Sequence, residues 1–114
     1  MSRITVAELI WKLERDLNLS PQEIAQALGV HPRTVDRWLE GDIPQRNEGR
    51  QRLDALEDLR NRIYRTFSSQ EAAQAWIQRE NRYLGNISPA EFLRTGRLDR
   101  VSAALEAIDS GYFV

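Results

Sequence analysis

Few side chains in this chain could do chemistry, and their spacing suits binding better than catalysis. There is no cysteine and a single histidine, His31. A thiolate nucleophile is therefore excluded, and a metal site would have to be built almost wholly from carboxylates, so no metal is expected. No glycine-rich phosphate loop or nucleophile elbow is present. Acid pairs such as Glu57 and Asp58 fall on a helix surface with no evident cleft around them. These features argue against an enzyme and for no cofactor.

Two groups of residues remain. The first is cationic: Arg33, Thr34 and Arg37 follow Pro32 on one short helix, and Arg46, Arg50 and Arg52 come shortly after. Guanidinium groups read guanine edges and grip phosphates, so Arg33, Thr34 and Arg37 suit a groove, while Arg46, Arg50 and Arg52 suit the DNA backbone. Asp36 lies among them, where it would repel phosphate. Residues 20–65 hold eight arginines and eight acidic residues. Two readings follow for this unit, a DNA reader or a scaffold that serves as a dimer platform. His31 stands where a helix is capped, which favours a local turn role over a DNA contact. The second group is apolar: Gly111-Tyr112-Phe113-Val114 closes the sequence. These rings either fold back on the last helix or fill a pocket on another protein, where buried aromatic anchors dominate binding energy.

The elements that must position these groups are helical throughout. Val6, Leu9, Ile10, Leu13 and Leu17 share one face of a helix, with Thr5 and Glu8 as a capping box. Trp11 lies off that stripe, either at the edge of the core or on an interface. Ser20-Pro21-Gln22-Glu23 opens a helix that carries Ile24, Ala25 and Leu28 and stops at Gly29. A second short helix starts near Pro32 and buries Val35, Trp38 and Leu39. After a loop at Asp42–Gln45, a long helix is expected from about Asn47 to Phe67, with Leu53, Leu56, Leu59, Ile63 and Phe67 on one side. Ser68-Ser69-Gln70-Glu71 and Ser88-Pro89-Ala90-Glu91 read as two more capping boxes. They open helices that carry Ala72, Ala73, Trp76 and Ile77, and then a short segment ending near Gly96. The last helix aligns Leu98, Val101, Leu105 and Ile108. No alternating β pattern appears. The expectation is an all-α chain with a seam near Thr66 to Ser69, dividing a helix-turn-helix bundle (1–67) from a small helical domain (68–114).

Bulk composition sets bounds on partners. The chain has 114 residues, 41% hydrophobic and 29% charged, with a net charge of −1. That is a globular composition, and it argues against a strongly basic, sequence-blind nucleic-acid binder. Neither a signal peptide nor an apolar run of membrane-spanning length is apparent, so the expected location is cytoplasmic, with no membrane partner.

Two resemblances sharpen these expectations. Leu19 to Gly41, through Ser-Pro-Gln-Glu-Ile-Ala-Gln-Ala-Leu-Gly-Val-His-Pro-Arg-Thr-Val-Asp-Arg-Trp-Leu-Glu-Gly, resembles the Xre/Cro-like repressors, in which the second short helix enters the major groove. Trp76, Asn81, Leu84, Gly85, Ser88-Pro89, Phe92-Leu93, Gly96, Val101, Leu105, Ile108 and Gly111 resemble the toxin-binding domain of the Xre/MbcA/ParS antitoxins over about Ser69 to Val114. The final Gly-Tyr-Phe-Val looks most like the shorter MbcA type. Gly85-Asn86 departs from the two glycines common in the family. The resemblance implies an antitoxin rather than an enzyme. Its partner would be a RES-domain toxin that consumes NAD⁺ or transfers ADP-ribose from it, with the antitoxin tail in or near the toxin active site. It also implies operator DNA as a partner, autorepression, and a homodimer or a higher toxin–antitoxin complex. The toxin-facing residues it implies are Trp76, Asn81, Arg82, Arg94, Arg97, Gly111, Tyr112, Phe113 and Val114. The alternative is a stand-alone helix-turn-helix regulator whose C-terminal unit only dimerises.

Overall fold

Serine and threonine side chains fix where the helices begin. Ser20 accepts a hydrogen bond from the Glu23 amide (3.1 Å), and the Glu23 carboxylate accepts one back from the Ser20 amide (2.9 Å), a complete capping box. Thr5 accepts from Glu8 and Ser88 from Glu91. The Glu91 carboxylate pairs with Arg94 instead of returning to its cap. The box expected at Ser68 and Glu71 is set one residue later. Ser69 is the cap and accepts from the Ala72 amide. This register is the one that turns Ala73 and Ile77 into the core, where both are fully buried.

These caps delimit an all-α chain, in a computed structural model that describes residues 5–42 and 48–111. The helices are α1 (Val6–Leu17), α2 (Pro21–Leu28), α3 (Pro32–Leu39), α4 (Glu48–Thr66), α5 (Gln70–Gln78), α6 (Pro89–Arg94) and α7 (Leu98–Asp109). A 3-10 turn at Arg82–Leu84 joins α5 to α6, and an isolated bridge between Asn81 and Ile87 closes that turn. No strand occurs among the described residues.

Helix α4 is the hub. Leu53, Leu56, Leu59 and Ile63 line one side of it and are buried, and it touches α1, α2, α5 and α7. Each such side chain contributes about 1.5–3 kcal/mol by leaving water. The seam expected near Thr66 to Ser69 falls in the link between α4 and α5. Even so, one apolar cluster runs across it, from Leu9 and Ile10 in α1 to Val101 and Leu105 in α7.

Polar contacts fasten the two halves as well. Arg52 of α4 donates to the Leu28 and Gly29 carbonyls (3.1 and 3.3 Å), satisfying the exposed end of α2. Gly29 has φ +67° there, and a Cβ would collide with that guanidinium. Gly96, between α6 and α7, lies over the same helix end, where a Cβ would sit 3.3 Å from the Gln26 carbonyl oxygen. Arg94 Nε lies 2.8 Å from the Glu23 carboxylate, as an ion pair rather than an aligned hydrogen bond. In α1, the buried Asp16 carboxylate binds Arg15 (2.9 Å) and Arg60 of α4 (2.7 Å). Arg60 stacks on the Tyr64 ring at 4.3 Å. The Tyr64 hydroxyl, whose pKa is raised chiefly by burial, donates to the Asp16 carbonyl.

Two candidate interfaces

The first candidate is built by α2 and α3. Gly29 ends α2, and Val30 packs partly buried against the core in the turn. His31 caps α3: its Nδ1 accepts from the Arg33 amide at 3.1 Å, the local role expected for it. Val35 and Trp38 are buried, so Trp38 is core rather than a base-stacking ring. Helical periodicity then leaves Arg33, Asp36 and Arg37 exposed and Thr34 half-buried around an open depression bordered by His31 and Glu40. Arg33 and Arg37 are one turn apart and have no ion pair among the described residues. Asp36 and Glu40 balance their charge. An anionic partner at this face would therefore be held by where the arginines stand, not by bulk charge. Arg50 pairs with Asp54 at 3.2 Å on the surface of α4. Arg52, grouped with it in the sequence as a backbone contact, is committed to the α2 carbonyls and Glu48. Arg46 lies outside the described residues.

The second candidate is a groove of about 350 Å3 where α5, the 3-10 turn and the last turns of α7 meet. Trp76, Glu80, Asn81, Arg82, Tyr83, Ala104 and Ile108 line it. Trp76 is half-buried and leans on Phe67 at 5.5 Å, tilted by 37°, which fixes the wall of the groove. Asn81 shapes the rim: its Oδ1 accepts from the Tyr83 amide (2.9 Å), and its carbonyl accepts from Asn86 (2.8 Å). Asn86 has φ +66°, a left-handed conformation that asparagine tolerates. The Gly85-Asn86 departure from paired glycines thus leaves the turn intact. Tyr83 and Ile87 are each 44% exposed in this turn, beside the cation of Arg82. An aromatic wall, an aliphatic floor and the opposite charges of Glu80 and Arg82 make a surface suited to an apolar protein segment with polar edges.

The structure brings Trp76, Asn81 and Arg82 together but separates them from Arg94 and Arg97. Arg94 is held between Glu23 and Glu91 at the junction with α2. Arg97 precedes α7 and bonds Asp99 twice (3.1 and 3.2 Å), which holds the Asp99 carboxyl below its usual range and raises the Arg97 pKa. It lies eleven residues before Ile108, about 16 Å along the helix. Gly111 ends the described residues, and Tyr112, Phe113 and Val114 lie beyond them. Sequence reasoning missed Glu80, Tyr83, Ala104 and Ile108 as lining residues. Ile108 shares the family resemblance, but its place on the apolar stripe of α7 reads as core. Among the described residues, no group of three or more His, Cys, Asp or Glu side chains is placed to hold a metal, and no helix is long and apolar enough to cross a membrane.

Two family models match the chain. Residues 64–111 match the antitoxin Xre/MbcA/ParS C-terminal toxin-binding domain, and residues 1–41 match the homeodomain-like domain, itself a helix-turn-helix class. The chain is 30% identical over 98 residues to the mycobacterial cidal antitoxin MbcA of Mycobacterium tuberculosis and to that of Mycobacterium bovis. The alignment covers 86% of this chain and 86% of each relative. A chain in the crystal structure of the M. tuberculosis MbcT-MbcA toxin-antitoxin complex superposes with a TM-score of 0.63 at 27% identity, over 98% of this chain and 100% of that one. With an all-α fold whose two ends match these domains, and a relative at this identity over 86% of both chains, the chain belongs to the Xre/MbcA/ParS antitoxin family.

Proposed function

We propose that this chain is an antitoxin that binds and inhibits a RES-domain toxin through its C-terminal unit and represses its own operon through α3. The toxin would be an enzyme that degrades NAD⁺ or transfers ADP-ribose from it. The observation that carries the reading is the end-to-end likeness to a chain of a solved toxin–antitoxin complex. The groove of Trp76, Arg82, Tyr83 and Ile108 supports it, since it offers a partner accessible aromatic area to bury. Val114 follows Ile108 by six residues. A toxin seated on this groove would thus have Tyr112, Phe113 and Val114 within about 20 Å of it, even with the chain fully extended. Placed in the toxin's active site, the rings would fill a nucleotide pocket. The unpaired Arg33 and Arg37 support the DNA role. Two copies would read paired half-sites. The protein would act in the cytoplasm.

Co-expression tests this reading. The cognate RES-domain enzyme should arrest growth alone and be tolerated with it. A chain lacking Tyr112–Val114 should still bind the enzyme but lose most inhibition. Full inhibition by the shortened chain would show that the tail is not the inhibitory element. An unchanged growth arrest with the intact chain would remove the antitoxin reading altogether.

A further inference from the structure

Trp11 is the most exposed large apolar side chain among the described residues, at 55%. It does not border the core. Helix α1 buries Leu9, Ile10, Leu13, Asp16 and Leu17, and at 100° per residue Trp11 points to the opposite side. Glu8 and Arg15 flank it there, one turn before and one turn after, and all three are exposed. Arg15 uses Nε to bind Asp16, which steadies its side chain and leaves the two terminal nitrogens for another carboxylate.

We propose that this stripe is a twofold interface between two copies of the chain, with α1 packed antiparallel on α1. A twofold interface uses the same patch on both subunits, so the patch must be complementary to itself. The stripe is: an acid stands on one side of Trp11 and a base on the other. With Trp11 of each copy at the axis, Glu8 lies about 4.5 Å to one side along the helix and Arg15 about 6 Å to the other. The offset of about 1.5 Å is within reach of either long side chain. Glu8 of each copy then meets Arg15 of the other, and the two indole rings stack between the pairs. A polyanion or a membrane surface would call for cations on both sides, which this stripe lacks. Because α1 also packs against α3, pairing two copies here sets two recognition helices at a fixed separation.

Sedimentation and light scattering of the full chain, without toxin or DNA, test the proposal independently of the antitoxin reading. Wild type should be a dimer. Trp11→Ala should be a monomer with unchanged helical circular dichroism and melting temperature. Glu8→Arg and Arg15→Glu should each be monomeric, since each places like charges in both contacts, whereas an equimolar mixture of the two variants should dimerise. If Arg15→Glu does not fold beside Asp16, Glu8→Arg decides alone, because it leaves the Arg15–Asp16 pair in place. A monomeric wild type, or a Trp11→Ala or Glu8→Arg chain that still dimerises, overturns the proposal. So does a Trp11→Ala chain that keeps its dimer but loses toxin binding, which would give the stripe to the toxin.

Discussion

On α3, Arg33 and Arg37 stand exposed with no ion pair among the described residues, whereas around α6 and α7 Arg62, Arg94 and Arg97 are each held by a carboxylate. The two candidate interfaces therefore use different physics. The α3 face keeps cations available for an anionic partner and exposes no Trp, Tyr or Phe ring, since Trp38 is buried. The groove at the end of α7 presents Trp76, Tyr83 and Ile108 with Arg82 at its rim, while the paired arginines elsewhere around α6 and α7 serve the fold. Binding at the first face should depend steeply on salt, because phosphate contacts release counterions. Binding at the second should be governed by apolar burial and respond weakly.

The largest expected effect tests whether the two faces share one base. Asp16→Ala leaves Arg60 partly buried without its carboxylate and should cost about 3–5 kcal/mol of stability. Both binding activities should fall together as the chain melts, read by thermal unfolding alongside each binding assay. Loss of one activity with the other intact would separate the halves.

The next contrast sets the faces against each other. Arg33→Ala with Arg37→Ala should abolish operator binding and lower the salt slope of any residual DNA affinity by roughly two, while toxin inhibition persists. Trp76→Ala should weaken toxin binding by about 2 kcal/mol with little change in salt dependence and leave DNA affinity alone. Crossed effects would break the division. The smallest effect concerns Glu14, whose pKa is raised by burial and whose Oε2 has no hydrogen-bond partner. A carboxyl with a raised folded-state pKa binds more protons folded than unfolded, so its charged form lowers stability at neutral pH and that cost vanishes as pH falls below the unfolded value. Glu14→Gln should raise the melting temperature at pH 7, and the gain should shrink to nothing in acid.

Much of the fold was legible because local signals agreed. Ser20 and Glu23, Gly29 and Pro32 each fit one position of a helix end, and the apolar stripes gave the buried faces of α1, α4 and α7. Ser68 and Ser69 were ambiguous because both can cap, and only the packing of Ala73 and Ile77 selects between them. Long-range pairing was the part local pattern could not supply. Arg94 reads as a surface cation, yet it meets Glu23 from the other half of the sequence. Arg52 reads as a phosphate contact, yet it terminates α2. Asp16 gives no sign in the sequence of being buried, since its burial depends on Arg60, 44 residues away. Of the candidate groove, Trp76, Asn81 and Arg82 came from resemblance. Ile108 was hidden because a half-buried groove floor has the same periodicity as core.

The fastening of α2 by Arg52, Gly96 and Arg94 bears on how such a chain is dismantled. Structure lost in α6 or α7 withdraws Gly96 and Arg94 from α2, and the helix-turn-helix loses part of its seat in the same event. On the proposed function, a protease that engages α6 or α7 would then remove operator grip and toxin grip in one step, so repression and neutralisation would share a single half-life.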